Sequence, residues 1–152
     1  MASPAWRAAE PKARRLARSA AAATLRHERR AGSLTILLSD DDRVAELNLA
    51  FRGKSGPTNV LSFPMAGPGT ESLGDIALAF ATCRREAAAQ GKPLADHLRH
   101  LTAHGVLHLL GYDHQSDAEA DAMEAKERAI LAGLGVPDPY GPAALQEDHG
   151  RN

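Results

Sequence analysis

The sequence Val60-Leu-Ser-Phe-Pro64, followed after a Gly/Pro-rich loop by Leu73-Gly-Asp-Ile-Ala-Leu-Ala79, decides the fold. Each segment is a short apolar run of the kind that forms a buried strand, and a proline ends the first one. No helical pattern lies between the two segments. The chain therefore contains strands that follow one another directly, as in an α+β fold.

Outside these segments the sequence predicts one more strand and five helices. Together they give an α+β fold with a small mixed sheet of three to four strands, covered by about five helices. We expect a single domain over residues 1–152, with residues 1–10 and 138–152 loosely ordered. The further strand is predicted at Ser33–Ser39, and the helices at about 11–30, from 41 to Arg52, and at 81–90, 94–110 and 116–134.

The composition is that of a globular domain: 152 residues, 43% hydrophobic and 24% charged. These fractions exclude intrinsic disorder as a description of the whole chain. The net charge is only −1, but residues 1–30 carry eight basic and two acidic side chains, whereas residues 113–152 carry three basic and nine acidic ones. Because the charge is separated along the chain, near neutrality does not argue against a polyanionic partner.

Cys83 is the single cysteine, which excludes an intramolecular disulfide and a cysteine-based structural zinc site. This usage fits a reducing compartment, and we expect a cytoplasmic protein. No apolar run approaches the roughly 18 residues that a membrane-spanning helix needs. The Arg- and Ala-rich start is also similar to an organellar transit peptide, although Leu16, Ala17 and Ala20 would form one face of an ordinary helix.

A histidine motif carries most of the functional signal: His104-Gly-Val-Leu-His-Leu-Leu-Gly-Tyr-Asp-His114. On a helix, His104 and His108 lie on one face, where one ion can bind both imidazoles. Gly111 predicts the end of that helix, and the turn after it can bring His114 to the same ion. Three neutral nitrogens with an open fourth position are typical of a catalytic zinc site. We therefore predict a metal site at a helix C-terminus.

The same histidine spacing occurs in metzincin proteases, which carry a glutamate directly after the first histidine as the general base. Here that position is Gly105, so a protease is disfavoured. Arg52 and Lys54, at a helix end and in the loop that follows, can bind a phosphate or another oxyanion. Positive charge at a hydrolytic site favours a phosphodiester over a neutral amide.

Other polar residues have two interpretations each. His100 shares the helical face of His104 and would support a ligand, but a partly exposed helix histidine is favoured. Asp75 would accept a hydrogen bond from a ligating imidazole or, more simply, cap a strand end. Ser62 and Cys83 lack the neighbours of a nucleophile and are taken as structural.

Four motifs in this order closely resemble the YbeY family of bacterial endoribonucleases, also called rRNA maturation factors. The resemblance covers roughly residues 33–140, and its motifs are Leu47-Asn-Leu-Ala-Phe-Arg-Gly-Lys54, Pro57-Thr-Asn-Val-Leu-Ser-Phe-Pro64, Leu73-Gly-Asp-Ile76 and the histidine motif. It implies a metal, usually zinc, on the histidines at 104, 108 and 114, and a required arginine at Arg52. Another divalent transition metal would also suit these ligands.

The resemblance further implies cleavage of single-stranded RNA, maturation of the 16S rRNA 3′ end and ribosome quality control, with the small ribosomal subunit and an Era-type GTPase as partners. It implies a four-stranded sheet, yet only Met1-Ala-Ser-Pro-Ala-Trp6 precedes the first predicted helix, where family members usually have a strand. Two other hypotheses stay open: a zinc peptidase-like hydrolase, and a non-catalytic ribosome-assembly factor with a structural metal.

Overall fold

A computed structural model describes residues 3–52, 58–64, 72–112 and 116–140, with the backbone alone at residues 51 and 52. These residues form three strands and six helices, so the predicted α+β class is confirmed. Strand bounds differ from the prediction by at most one residue. In chain order the elements are α1 (Pro4–Ala9), α2 (Ala13–His27), β1 (Ser33–Ser39), α3 (Asp41–Arg52), β2 (Val60–Pro64), β3 (Ser72–Ala79), α4 (Phe80–Ala89), α5 (Leu94–Leu109) and α6 (Asp117–Gly133).

The sheet is mixed, and its strand order is β1-β3-β2. Strand β3 lies in the centre, parallel to β1 and antiparallel to β2. Gly74 in β3 has φ +135°, and a Cβ there would lie 2.2 Å from the carbonyl oxygen of Phe63, so only glycine fits this position. Within the described residues the sheet has three strands, and the fourth strand that the resemblance implies is not found there.

Helices cover both faces of β3, because successive side chains of a strand point to opposite faces. Ile76 and Leu78 are fully buried in the larger core, which α2 and α5 share with the sheet. Ala77 and Ala79 belong to a second cluster on the other face, where Val44 of α3 packs. Helix α5 also packs against α4 and α6 and is therefore largely enclosed.

Helix α1 has no counterpart in the predicted elements. Trp6, in the segment expected to be loosely ordered, is fully buried and meets Phe80 edge to face at a centroid distance of 5.3 Å. Its indole N–H donates to the carbonyl of Ser39 at 3.0 Å, and the N–H of Ser3 donates to that of Leu38 at 2.8 Å. The segment is thereby attached to the end of the outer strand β1.

The six helices differ in length, and the longest has 17 residues. Among the described residues, none is long and apolar enough to cross a membrane.

Candidate metal centre

Helix α5 carries the first two histidines of the motif and ends in a glycine turn. Gly111 has φ +103°, a conformation that favours glycine. Its N–H donates to the carbonyl of His108 at 3.0 Å, and the N–H of Tyr112 donates to that of Leu107 at 3.1 Å. These two bonds define a Schellman motif. The prediction that Gly111 ends the helix is confirmed.

His104 and His108 present their Nε2 atoms to each other at the end of α5. The two nitrogens are 3.1 Å apart, and the ring centroids are 4.6 Å apart. Two nitrogens bound to one tetrahedral zinc at 2.0–2.1 Å lie about 3.3 Å apart, so the pair fits a shared ion with little movement. The same distance also suits a hydrogen bond between the rings when one nitrogen carries a proton. Neither side chain is fully buried, and that of His104 is 23% exposed.

A buried carboxylate holds the other side of the His104 ring. Nδ1 of His104 lies 2.8 Å from Oε2 of Glu127 on α6, within hydrogen-bond distance. Glu127 is 0% exposed, and burial alone would raise its pKa. The hydrogen bonds from His100 and His104 outweigh burial and hold the pKa of Glu127 well below its usual range. Glu127 is therefore an ionised acceptor, and Nδ1 of His104 carries the proton.

The second oxygen of Glu127 is also engaged. Oε1 accepts hydrogen bonds from Nε2 of His100 and from the hydroxyl of Tyr140, each at 2.7 Å. Burial lowers the pKa of His100, although Glu127 opposes this effect, and the Nδ1 atom of His100 is buried without a hydrogen-bond partner. The favoured prediction of a partly exposed His100 is wrong, because α6 and residues 136–140 cover that face of α5.

A second acid–histidine pair lies about two turns nearer the start of α5. Nε2 of His97 is 2.8 Å from Oε1 of Glu86 on α4, and Nδ2 of Asn59 donates to the same oxygen at 3.0 Å. The Glu86 side chain is 34% exposed, unlike Glu127. Burial would raise the pKa of Glu86, but the bonds from His97 and Asn59 lower it below the usual value.

Gly105 faces away from the histidine pair, towards the sheet. A Cβ at this position would lie 3.1 Å and 3.2 Å from two carbons of Ile76 and 3.3 Å from Oγ of Ser62. Ser62 also donates to the carbonyl of Gly105 at 3.0 Å, which supports its structural role. A side chain here would press against β2 and β3, so packing as well as chemistry disfavours the protease pattern.

Only part of the predicted site lies in the described residues. Arg52 is the last residue of α3, and its side chain is outside the description. Lys54 and His114 lie wholly outside the described residues. Within residues 3–52, 58–64, 72–112 and 116–140, no group of three or more His, Cys, Asp or Glu side chains is arranged to hold a metal. The described histidine pair is therefore two thirds of the predicted ligand set.

The remaining candidates have structural roles. Asp75 is exposed on β3, and the His104 imidazole bonds to Glu127, so Asp75 does not orient His104. Cys83 is fully buried, and burial raises the pKa of its thiol. The hydroxyl of Tyr112 donates to Oε1 of Glu28 at 2.5 Å, which ties the turn after α5 to the end of α2.

Glu127 is the site residue that the sequence prediction missed, although the sequence holds a signal for it. It follows Met123 by four residues and precedes Ile130 by three, so it occupies the apolar face of α6. A carboxylate on such a face needs hydrogen-bond donors from elsewhere. The sequence alone does not show which of the seven histidines supply them.

The fold and the site define a small α+β protein in which two imidazole nitrogens meet at the end of a buried helix, braced by a carboxylate. This arrangement is typical of proteins that bind a transition metal through histidine. The chain belongs to the Endoribonuclease YbeY family, whose profile matches residues 5–135.

Several curated relatives carry the name endoribonuclease YbeY. The Rhodopseudomonas palustris (strain BisB5) protein is 55% identical over 118 residues, covering 70% of this chain and 60% of that protein. The Cereibacter sphaeroides protein is 56% identical over 126 residues, with 71% and 75% covered. The Parvibaculum lavamentivorans protein is 58% identical over 120 residues, with 71% and 65% covered. The chain thus spans between 60% and 75% of the length of these relatives.

A solved structure supports the fold independently. The solution structure of TM1509 from Thermotoga maritima matches with a TM-score of 0.55 and 22% sequence identity, covering 94% of each chain. At this identity the likeness concerns the fold alone.

Proposed function

We propose that this protein is a cytoplasmic, single-domain, metal-dependent endoribonuclease that cleaves single-stranded RNA during rRNA maturation and ribosome quality control. Membership of the Endoribonuclease YbeY family supports the reaction class. The observation that carries the proposal is the approach of the His104 and His108 Nε2 atoms to 3.1 Å, with the His104 ring braced by Glu127.

The residues fit a zinc ion or another divalent transition metal. Imidazole nitrogen suits zinc, and the two described histidines have the spacing that one ion needs. We propose His114 as the third ligand, because the Gly111 turn sends the chain back directly after His108. When bound, the ion would supply Lewis-acid stabilisation of charge on a phosphate oxygen.

Arg52 is proposed as the residue that stabilises negative charge on the phosphate during cleavage. A guanidinium donates two parallel hydrogen bonds to phosphate oxygens and stays charged at any physiological pH. Lys54 is proposed to position the RNA backbone as a point charge. Support comes from their place in the sequence, at the end of α3 and in the segment that leads to β2.

The test is cleavage of a single-stranded RNA oligonucleotide, with zinc content measured on the same samples. We expect Arg52→Ala to lower the rate about 100-fold or more while zinc content is unchanged, as for removal of other groups that stabilise a transition state. His108→Ala should lose both zinc and activity. Arg43→Ala is the matched control, since Arg43 is an exposed arginine of the same helix whose guanidinium lies 3.4 Å from Glu46. Wild-type rates in both site variants would overturn the proposal.

The ends of the RNA products decide the nucleophile. A 2′,3′-cyclic phosphate indicates attack by the RNA 2′-hydroxyl, and a 5′-phosphate indicates attack by water. Casein hydrolysis that chelators abolish, without RNA cleavage, would instead support a peptidase. Binding to small ribosomal subunits with equal RNA cleavage by wild type and His114→Ala would support an assembly factor with a structural metal. We propose the small subunit and an Era-type GTPase as partners, and co-sedimentation and pull-down test them.

A further inference from the structure

We propose that Glu127 is a positioning residue, which orients the His104 imidazole so that its Nε2 lone pair faces the metal. This inference rests on the metal site of the proposed function. It goes further because Glu127 is neither one of the three proposed ligands nor near them in the sequence. It lies on α6, 23 residues after His104.

The tautomer of His104 follows from the hydrogen bond. An ionised carboxylate only accepts, so the 2.8 Å contact with Oε2 of Glu127 requires a proton on Nδ1 of His104. A neutral ring then has its lone pair on Nε2. That atom is the one 3.1 Å from Nε2 of His108. Glu127 thus selects the form of His104 that can bind an ion together with His108.

Glu127 is itself held in one place. Its two oxygens meet donors from α5 and from the segment after α6: His104 on Oε2, and His100 and Tyr140 on Oε1. The carboxylate is buried, so leaving any of its lone pairs without a donor would be costly. The fixed carboxylate leaves the His104 ring one orientation that preserves its bond.

His100 has a supporting role in this arrangement. Its Nε2–H donates to Oε1 of Glu127 at 2.7 Å, while its own Nδ1 is buried without a hydrogen-bond partner. Burying an imidazole with a bare nitrogen costs free energy. The cost is offset by the bond to Glu127, and this shared carboxylate links His100 to His104.

The competing explanation is that Glu127 merely joins α5 to α6. Glu86 provides the matched control, because it makes the same acid–imidazole contact to α5 at the same 2.8 Å distance. Its partner is His97, which lies seven residues before His104 and outside the proposed ligand set. If the acid–histidine bond only stabilises helix packing, the zinc affinity of Glu127→Gln and of Glu86→Gln should fall only in proportion to the stability that each variant loses.

The experiment measures zinc affinity of the metal-free full chain by competition with a chromophoric chelator. We expect Glu127→Gln to weaken zinc binding about 10- to 100-fold and Glu86→Gln to leave it unchanged. Urea unfolding of the metal-free variants checks that both are folded and measures the stability that each loses. Equal zinc affinity of Glu127→Gln and wild type, or an equal loss in Glu86→Gln, would overturn the inference.

A second measurement separates this inference from the proposed metal function. The ¹⁵N chemical shifts of the His104 ring in metal-free wild type should report a protonated Nδ1 and a bare Nε2. In Glu127→Gln the fraction of His104 in this tautomer should fall. The opposite tautomer in wild type would overturn the inference even if zinc binds. Failure of wild type to bind zinc, with the expected tautomer, would count against the proposed function alone.

Discussion

Two acids meet histidines of the same helix, but their surroundings differ. Glu127 is buried and accepts from three donors, two of them histidines of α5. The Glu86 side chain is 34% exposed and accepts from His97 and Asn59. The contact distances alone do not distinguish them. Because Glu127 is buried, its carboxylate has to accept from protein donors in place of water. One of these donors is His104, a proposed metal ligand.

The largest expected effect is the loss of the buried carboxylate. Glu127→Ala removes a buried acceptor of three hydrogen bonds and leaves a cavity, so we expect a loss of about 3–5 kcal/mol in the free energy of unfolding. Urea unfolding of the metal-free protein measures it. A loss no greater than that of Glu86→Ala would remove the contrast between the two acids.

Tyr140→Phe sharpens the comparison by taking away one donor and keeping the ring. The hydroxyl donates to an ionised, buried oxygen at 2.7 Å, so its removal should cost about 2 kcal/mol. His104 keeps its bond to the other oxygen. Zinc affinity should therefore stay near the wild-type value while the urea midpoint falls. A large loss of zinc affinity without loss of stability would contradict this division of roles.

Glu86→Ala should have a smaller effect. A half-buried acid exchanges part of its bonding with water, so we expect a loss of about 1 kcal/mol in the free energy of unfolding. The zinc affinity should not change. The measurement is the same urea series, and a loss as large as that of Glu127→Ala would show that exposure does not govern the difference.

The smallest effect concerns pH. The pKa of Glu86 is lower in the folded protein than in the unfolded chain, so the unfolded chain binds a proton more readily. Ionised Glu86 therefore stabilises the fold above its unfolded pKa, and this stabilisation is lost as the pH falls through its folded pKa. Burial lowers the pKa of the facing His97, and Lys92 is a further charged group near Glu86. The stability difference between wild type and Glu86→Gln should shrink on acidification from pH 7 to pH 3. A difference that stays constant would contradict the lowered pKa.

Local patterns predict most of the fold correctly. The strands are compact apolar runs and Gly111 makes its turn, because each depends on neighbours in sequence. Helix α1 was harder to predict. Its six residues are too few for a helical period, and its stability comes from the tertiary contacts of Trp6.

In the candidate site, too, local spacing predicts some residues, while tertiary packing places the others. Spacing alone predicts that His104 and His108 share a face, and their nitrogens do approach each other. Glu127 and Tyr140 depend on how α6 and the segment after it pack on α5, which no spacing encodes. Arg52, Lys54 and His114 stay predictions as site residues.

The docking of α1 gives the protein a built-in optical reporter. Trp6 is the single tryptophan, fully buried against Phe80 and bonded to the end of β1. Its fluorescence should be blue-shifted in the native state and move to longer wavelength when this corner opens. Tryptophan emission thus reports on the outer strand, while zinc release to a chromophoric chelator reports on the histidine pair. Comparing the two signals during unfolding would show whether the two regions open together.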